Sequence, residues 1–291
     1  MPKIDFMNFE NNILAIMPEK FNDIVANRKT IEIEGVDFEA ATTRTATKFK
    51  DIKGSIVTVP LYGYISHKAS IWSAMGLETS SETFAGWMDD LASNPQVGAI
   101  VIDIDSPGGT VSGVSSVTDK IHSLRGTKPI IAVVNDLMAS AAYWIGSAAD
   151  EIVADPESLT GSIGVFGMHA DYSKALEEQG IKVTFISAGK FKVEGNPYEP
   201  LSDEAKAYEQ SQVDDYYESF IDSVARNRGV SASKVKADFG QGRIFTAKRA
   251  KEAGLVDRVG SYEQVIDRLK SSKESKAHAQ ATCDLLKMQS D

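Results

Sequence analysis

The sequence predicts an α/β protein built on a mostly parallel sheet with additional helices at its C-terminal end. Three observations carry this. From Gly54 onward, apolar strand-like runs alternate with amphipathic helical ones. The run "VGAIVIDID" is apolar almost throughout, as a strand covered on both faces must be. After Leu201 the pattern becomes almost wholly helical. Strands joined by helices cross over and pair in parallel, with helices covering the sheet.

Taken in order, "SIVTVPLYGYI" reads as a buried strand and "SETFAGWMDDLAS" as a helix with Ser80 or Ser81 as its cap. "VGAIVIDID" is the next strand, and "GVSSVTDKIHSL" spaces Val114, Val117, Ile121 and Leu124 at helical intervals. Then come the strand "KPIIAVV", the helix "ASAAYWIGSAAD", the strand "EIVAD", the helix "DYSKALEEQG" ending at Gly180, and the strand "KVTFIS". A long helix over 203–228 has Ser202 as N-cap, Glu204 in its first turn and Gly229 as its stop. "SASKVKADF", "TAKRAKEAGL" and "SYEQVIDRLK" are shorter helices. Residues 1–53 form an N-terminal extension with a short helix near Pro18–Ala26 and alternation in "TIEIEGVDFEAA", and no chemistry is legible in it. The catalytic-size domain spans 54–270, and the Ser-, Lys-, Ala- and Gln-rich stretch 271–291 has the composition of a disordered tail.

Composition sets bounds. At 291 residues, 42% apolar and 25% charged, the chain reads as globular and able to bury a sizeable core. A net charge of -10 argues against a nucleic-acid surface. The single cysteine, Cys283, excludes an intrachain disulfide and a cysteine-rich zinc site; no metal and no cofactor are expected. No apolar run approaches the ~20 residues of a membrane helix, and the N-terminus makes a poor signal peptide. The expectation is a protein of the cytoplasm with no membrane association.

Four constellations could carry chemistry. In "DIDSPGGTVSG", Pro107-Gly108-Gly109 ends the apolar strand, and glycine lets a ligand approach the backbone closely. Amides released before a helix can converge on a developing anion; a plain Gly-rich turn is the simpler alternative. No dinucleotide or phosphate-loop fingerprint is present. Ser140, flanked by Ala139, Ala141 and Ala142, stands where a strand hands over to a helix. It is either a helix cap or a nucleophile in the positive end of the helix dipole.

A base is needed. Of four histidines, His67, His122 and His278 read as solvated, whereas His169, with Asp171 two residues on, could complete a Ser/His/Asp set. The loop "ISAGKFKVEGNPYEPLS" offers Lys190 and Lys192. Lysine ordinarily titrates near ~10.4 and is a poor base, but burial lowers that value and lets a neutral amine deprotonate a serine. The two lysines share one side of an extended segment, and local pattern does not choose between them.

The segments "DSPGGTVSG", "MASAAYWIGSAADEIVAD", "LTGSIGV", "SAGKFKVEGNP" and "GRIFTAKRAKEAGLVDRVG" together resemble the signal peptide peptidase A family of serine peptidases, over about residues 54–262. Each motif is weak alone; five in order at family spacing are specific. The resemblance implies the crotonase-like β/α fold shared with the Clp peptidase. It implies that Ser140 is the nucleophile and that Lys192, five residues before Pro197, is the general base, an offset Lys190 does not fit. It further implies that Ser162 orients that lysine, and that the Gly108-Gly109 turn and Ala141 form the oxyanion hole through the N–H groups of Gly109 and Ala141. This sequence departs from the cellular members in lacking an anchor, in holding one domain copy, and in having Ala141-Ala142 in place of glycines. The first two departures, the N-terminal "NNILAIMPEKF" and the segment "HADYSKALEEQGIKVTFISAGKFKVEGNPYEPLS" resemble the phage branch, the head-maturation or capsid assembly proteases.

The resulting expectation is a serine endopeptidase with a Ser-Lys dyad, cleaving scaffold or capsid proteins in a host cytoplasm or procapsid. A homo-oligomer is expected, in which a neighbouring protomer can supply the lysine. The alternatives are a cytoplasmic signal-peptide-degrading peptidase, a Ser-His-Asp peptidase through His169, an acyl-coenzyme A enzyme of the crotonase class, and a non-catalytic scaffold of the same fold.

Overall fold

The structure, a computed structural model, describes residues 13–21, 56–74 and 76–272. The alternation in "TIEIEGVDFEAA", Cys283, His278 and nearly all of the tail lie outside the described residues. In chain order the strands are β1 (Leu14–Ile16), β2 (Ile56–Ser66), β3 (Glu78–Ser80), β4 (Ala99–Thr110), β5 (Ile130–Ala139), β6 (Glu151–Ala154), β7 (Leu159–Gly161), β8 (Ile244–Thr246) and β9 (Arg258–Val259). Besides short helical turns at 18–21 and Ile71–Ala74, the helices are α1 (Ser81–Ser93), α2 (Val114–Leu124), α3 (Ala141–Gly146), α4 (Ser173–Glu178), α5 (Asp203–Arg228), α6 (Ala232–Asp238), α7 (Ala247–Ala253) and α8 (262–272).

The sheet runs β3-β2-β4-β5-β6-β9, and every neighbouring pair along that path is parallel. The two antiparallel pairs are peripheral: β1 on the end of β4, and β8 on β7. A mostly parallel sheet follows from the crossovers: β4 leads through α2 to β5, and β5 through α3 to β6. Helices α1, α2, α3 and α5 pack on one face around Phe84, Met88, Val117, Ile121, Trp144 and Phe220, all essentially buried. On the other face, Val101, Ile131, Val133 and Val153 meet Val265, with Ile266 and Leu269 of α8 packed alongside. The central strands are thus covered on both sides, which is why they read as unbroken apolar runs.

Helix ends follow the residues. Ser80 rather than Ser81 caps α1, accepting the Thr83 N–H at 3.3 Å. Ser202 caps α5 by accepting from Ala205 at 3.1 Å, and Gly229 closes it in the left-handed conformation (φ 65).

Three elements differ from the sequence reading, and each difference has a physical cause. β5 continues past Val134 to Ala139, because exposed Asn135 and Asp136 interrupt the apolar pattern without interrupting the strand. β4 likewise runs through Ser106-Pro107-Gly108-Gly109 to Thr110, with register irregularities near Tyr62 and Ile104, and its end stays paired with β2 through Tyr64 with Gly108 and Ile65 with Gly109. The expected strand "KVTFIS" is not formed: residues 181–187 have no ladder partner, and Ile181, Val183 and Phe185 stay exposed. A strand without a neighbour cannot satisfy its backbone groups, so apolar pattern alone does not make one.

Among the described residues no helix is long and apolar enough to cross a membrane.

Candidate active site

β5 and β7 run in parallel and end together, with Ala139 opposite Gly161. The next residue on each strand is a serine. Ser140 donates its N–H to the Gly161 carbonyl at 2.8 Å, and Ser162 donates its own to Arg243 at 2.8 Å. Both serines lie at positive φ, 56 for Ser140 and 54 for Ser162. That region is costly for a residue with a side chain and persists only where neighbours impose it. Here the neighbours are the two ladders behind and α3 ahead, whose Trp144 N–H bonds the Ser140 carbonyl at 2.9 Å.

The sequence left Ser140 as cap or nucleophile. Its side chain makes no capping hydrogen bond to α3. Instead the hydroxyl donates to the Gly164 carbonyl at 3.3 Å, and the residue is 0% exposed. The strained turn aims Oγ away from the helix it precedes.

α3 is held from behind. Trp144 stacks on Phe220 with ring centroids 4.4 Å apart and planes within 6°. The Tyr143 hydroxyl donates to Leu255 at 2.9 Å. Arg125 gathers the carbonyls just past α3, reaching Ala148 at 2.8 Å and Ala149 at 2.7 Å, and also the Asn227 carbonyl of α5 at 2.9 Å. The N-terminus of α3, where the Ala141 amide has no partner within the helix, is therefore fixed in place.

Facing it is the glycine turn. Gly108, at φ 97, leaves a gap: a Cβ there would meet the Ala15 and Ala139 carbonyl oxygens and lie 3.0 Å from the Ala141 nitrogen. A Cβ on Gly109 would strike the Ile65 backbone. The Gly108 N–H is already engaged by Ser106 Oγ at 3.2 Å, and Ser106 itself donates to the Gly63 carbonyl at 2.6 Å. Of the two glycine amides, Gly109 is thus the one that no side chain holds. Sequence reasoning missed Ser106; its signal was a fully buried serine inside the motif, readable only once burial is known.

The candidate bases are elsewhere in the single chain. Lys192 lies in an exposed stretch without regular secondary structure, and the hydroxyl of Ser140 bonds Gly164 rather than an amine. Lys190 pairs with Glu204 at 2.9 Å and lies over Phe191. His169 lines a cavity of about 390 Å³ with Ile13, Phe166 and Val213; its Nε2 is buried without a hydrogen-bond partner. Asp171 is occupied otherwise. Its Oδ1 accepts the Ser173 N–H at 2.9 Å, and bonds from the Ser173 side chain and backbone hold its carboxyl below the usual range. The structure brings together Ser140, Ser162, Gly108, Gly109 and Ala141, and leaves Lys192, His169 and Asp171 without a hydrogen bond to Ser140.

Residues 122–276 match the model of peptidase family S49. The chain is 36% identical over 182 residues to a protease-named protein of Methanocaldococcus jannaschii, covering 62% of this chain and 58% of that one. It is 32% identical over 216 residues to the capsid assembly protease C of Escherichia phage lambda, covering 74% and 48%. The chain therefore spans about half the length of the curated relatives it matches. Among solved structures, a ClpP1 mutant from Listeria monocytogenes aligns with TM-score 0.44 and 18% identity over 71% of this chain and 92% of that one.

Proposed function

The chain belongs to peptidase family S49, and on that premise we propose that it is a serine endopeptidase whose nucleophile is Ser140. The observation that carries the proposal is the strained, buried serine at the N-terminus of α3, facing a glycine gap that the Ala141 amide also lines. In the proposed reaction Ser140 Oγ attacks a peptide carbonyl, and the Gly109 and Ala141 amides take up the charge on its oxygen. Removing one such donor typically raises the barrier by ~3 kcal/mol. The acyl-enzyme then passes to water.

Lys192 is the proposed base, oriented by Ser162 and supplied by a neighbouring protomer. One observation supports a lysine delivered in trans. Its segment exposes the alternate residues Ile181, Val183 and Phe185, and also Phe191. Such a row asks for a covering surface. An amine carried into that contact is moved from water to an apolar setting, where the neutral form is favoured. It takes the serine proton and returns it to the leaving amine.

The proposed substrates are scaffold and capsid proteins of a phage or prophage, a reading that rests on the likeness to the phage lambda protease. A signal-peptide-degrading role is the second reading.

Incubating the full chain, Ser140→Ala and Lys192→Ala with candidate scaffold and capsid proteins, and with a signal peptide, tests this. Mapped product termini should appear only with the unsubstituted chain. Undiminished cutting by Lys192→Ala would remove the dyad, and undiminished cutting by Ser140→Ala would remove the proposal.

A further inference from the structure

The segment around β1, in which the sequence shows no chemistry, sits on the candidate site. β1 adds antiparallel to the glycine turn, with Leu14 opposite Thr110, Ala15 opposite Gly109 and Ile16 opposite Gly108. Its other edge is bonded too: Leu14 N–H donates to Phe166 at 2.9 Å and Phe166 N–H returns to Leu14 at 2.9 Å. One strand's width separates the end of β4 from residues 163–166, and this segment fills it.

The register is informative. Val111 N–H donates to Ile13 at 3.3 Å and Met17 N–H to Pro107 at 2.8 Å. Bonded pairs recur every second residue in an antiparallel ladder, so Ala15 and Gly109 form the bonded pair between them. That directs the Gly109 amide at the Ala15 carbonyl. The same carbonyl oxygen occupies the space beside Gly108 that the Ala141 nitrogen also borders. A peptide group is therefore seated between the two proposed oxyanion donors. Leu14, Ala15 and Ile16 are 0–2% exposed, and Ser140 is 0% exposed. Leu14 and Ile16 pack with Phe21 and Tyr64, while the Ala15 methyl belongs to the main core with Ala141 and Ala142.

We propose that Ile13–Met17 occupies the peptide-binding cleft of Ser140 in the register of a substrate, with the Ala15–Ile16 bond at the position of the bond to be cut. The segment is a tethered competitor for incoming peptides. It also shows the peptide class the cleft takes: an extended apolar strand added to a sheet edge, with a small residue contributing the carbonyl. This rests on Ser140 marking the cleft, as proposed above.

The test is fluorescence anisotropy with a labelled, end-blocked heptapeptide of the sequence NILAIMP, titrated into the full chain carrying Ser140→Ala so that nothing is cut. Adding Ala15→Arg, whose side chain cannot enter a fully buried site, should displace the strand. The peptide should then bind about tenfold tighter or better, because a tethered competitor acts at high effective concentration. Equal affinity in the two backgrounds overturns the proposal. Leu14→Asn is the milder second variant and should act in the same direction. On the chain without either strand substitution, saturating peptide should speed hydrogen exchange at the Leu14 amide; unchanged exchange means β1 is a permanent sheet strand and overturns it as well. Fluorophosphonate labelling of Ser140 separates the two readings. Competition without labelling retains the cleft and removes the nucleophile, whereas labelling without competition retains the nucleophile and removes the tethered competitor.

Discussion

Ser140 and Ser162 end adjacent parallel strands, joined by the 2.8 Å bond from the Ser140 amide to the Gly161 carbonyl, and both lie at positive φ. A side chain at φ 56 is tolerated there because the strand behind and the helix ahead leave no alternative path. Replacing Ser140 by Gly and by Ala should therefore separate strain from chemistry. Both variants should lose fluorophosphonate labelling. In urea titration Ser140→Gly should be the more stable of the two by about 1 kcal/mol, since only glycine relieves the backbone. Equal midpoints would mean the turn stores no strain.

The glycine turn should be intolerant of any side chain. Gly109→Ala places a methyl against the Ile65 backbone, which cannot swing aside as a side-chain tip could. The expected cost is about 1–3 kcal/mol of stability together with loss of peptidase activity. Gly126→Ala, at a turn with φ 77 and open space around it, is the control. It should cost some stability and leave activity in place.

Ser106 should act through Gly108 and not on substrate. With its hydroxyl gone, the Gly63 carbonyl and the Gly108 amide both lose a partner. Ser106→Ala should lower kcat while leaving KM near its original value, because what shifts is the placement of the oxyanion donors. A change confined to KM would assign Ser106 to peptide binding.

If the lysine arrives from a neighbouring protomer, two dead variants should rescue each other. Co-assembled Ser140→Ala and Lys192→Ala chains should regain about a quarter of the original activity when randomly mixed in a symmetric ring. No regain in a verified mixed assembly would place the base in the same chain.

Acid should weaken one clasp at the back of the site. Burial pushes the Asp257 carboxyl up, but the hydrogen bonds and charge of Arg228 and the Ile152 amide outweigh it, leaving the carboxyl below the usual range. Arg228 reaches both oxygens, at 2.6 and 2.9 Å. A carboxyl lower in the folded than in the unfolded state contributes stability above the unfolded value and loses it as pH falls through the folded one. Asp257→Asn should then be less stable than the original chain at pH 7 by about 1–2 kcal/mol, modest because solvent screens a partly exposed pair. The gap should shrink as pH drops below ~4. A constant gap would mean the loss is packing alone.

Much of this was legible in order along the chain. The parallel sheet, the long helix from Ser202 to Gly229 and the position of Ser140 followed from apolar runs, caps and turn residues, which are local signals. The runs themselves ended in the wrong places where chemistry begins. Asn135-Asp136 and Ser106-Pro107 look like strand stops, yet both strands continue through them to deliver Ala139 and Gly109. "KVTFIS" has the pattern of a strand and no strand to pair with.

The sequence by itself determined the fold class, the serine, the glycine turn and a lysine-bearing loop, because periodicity and residue type encode these within a few residues. Tertiary structure alone decided which glycine amide a side chain holds, that Ser140 is turned off its helix, and that Ala15 lies against the turn. Those depend on contacts between residues far apart in the chain: Ser106 with Gly63, Ser140 with Gly164, and Ala15 with Gly109. No local pattern encodes a long-range pairing, which exists only once the chain has closed on itself.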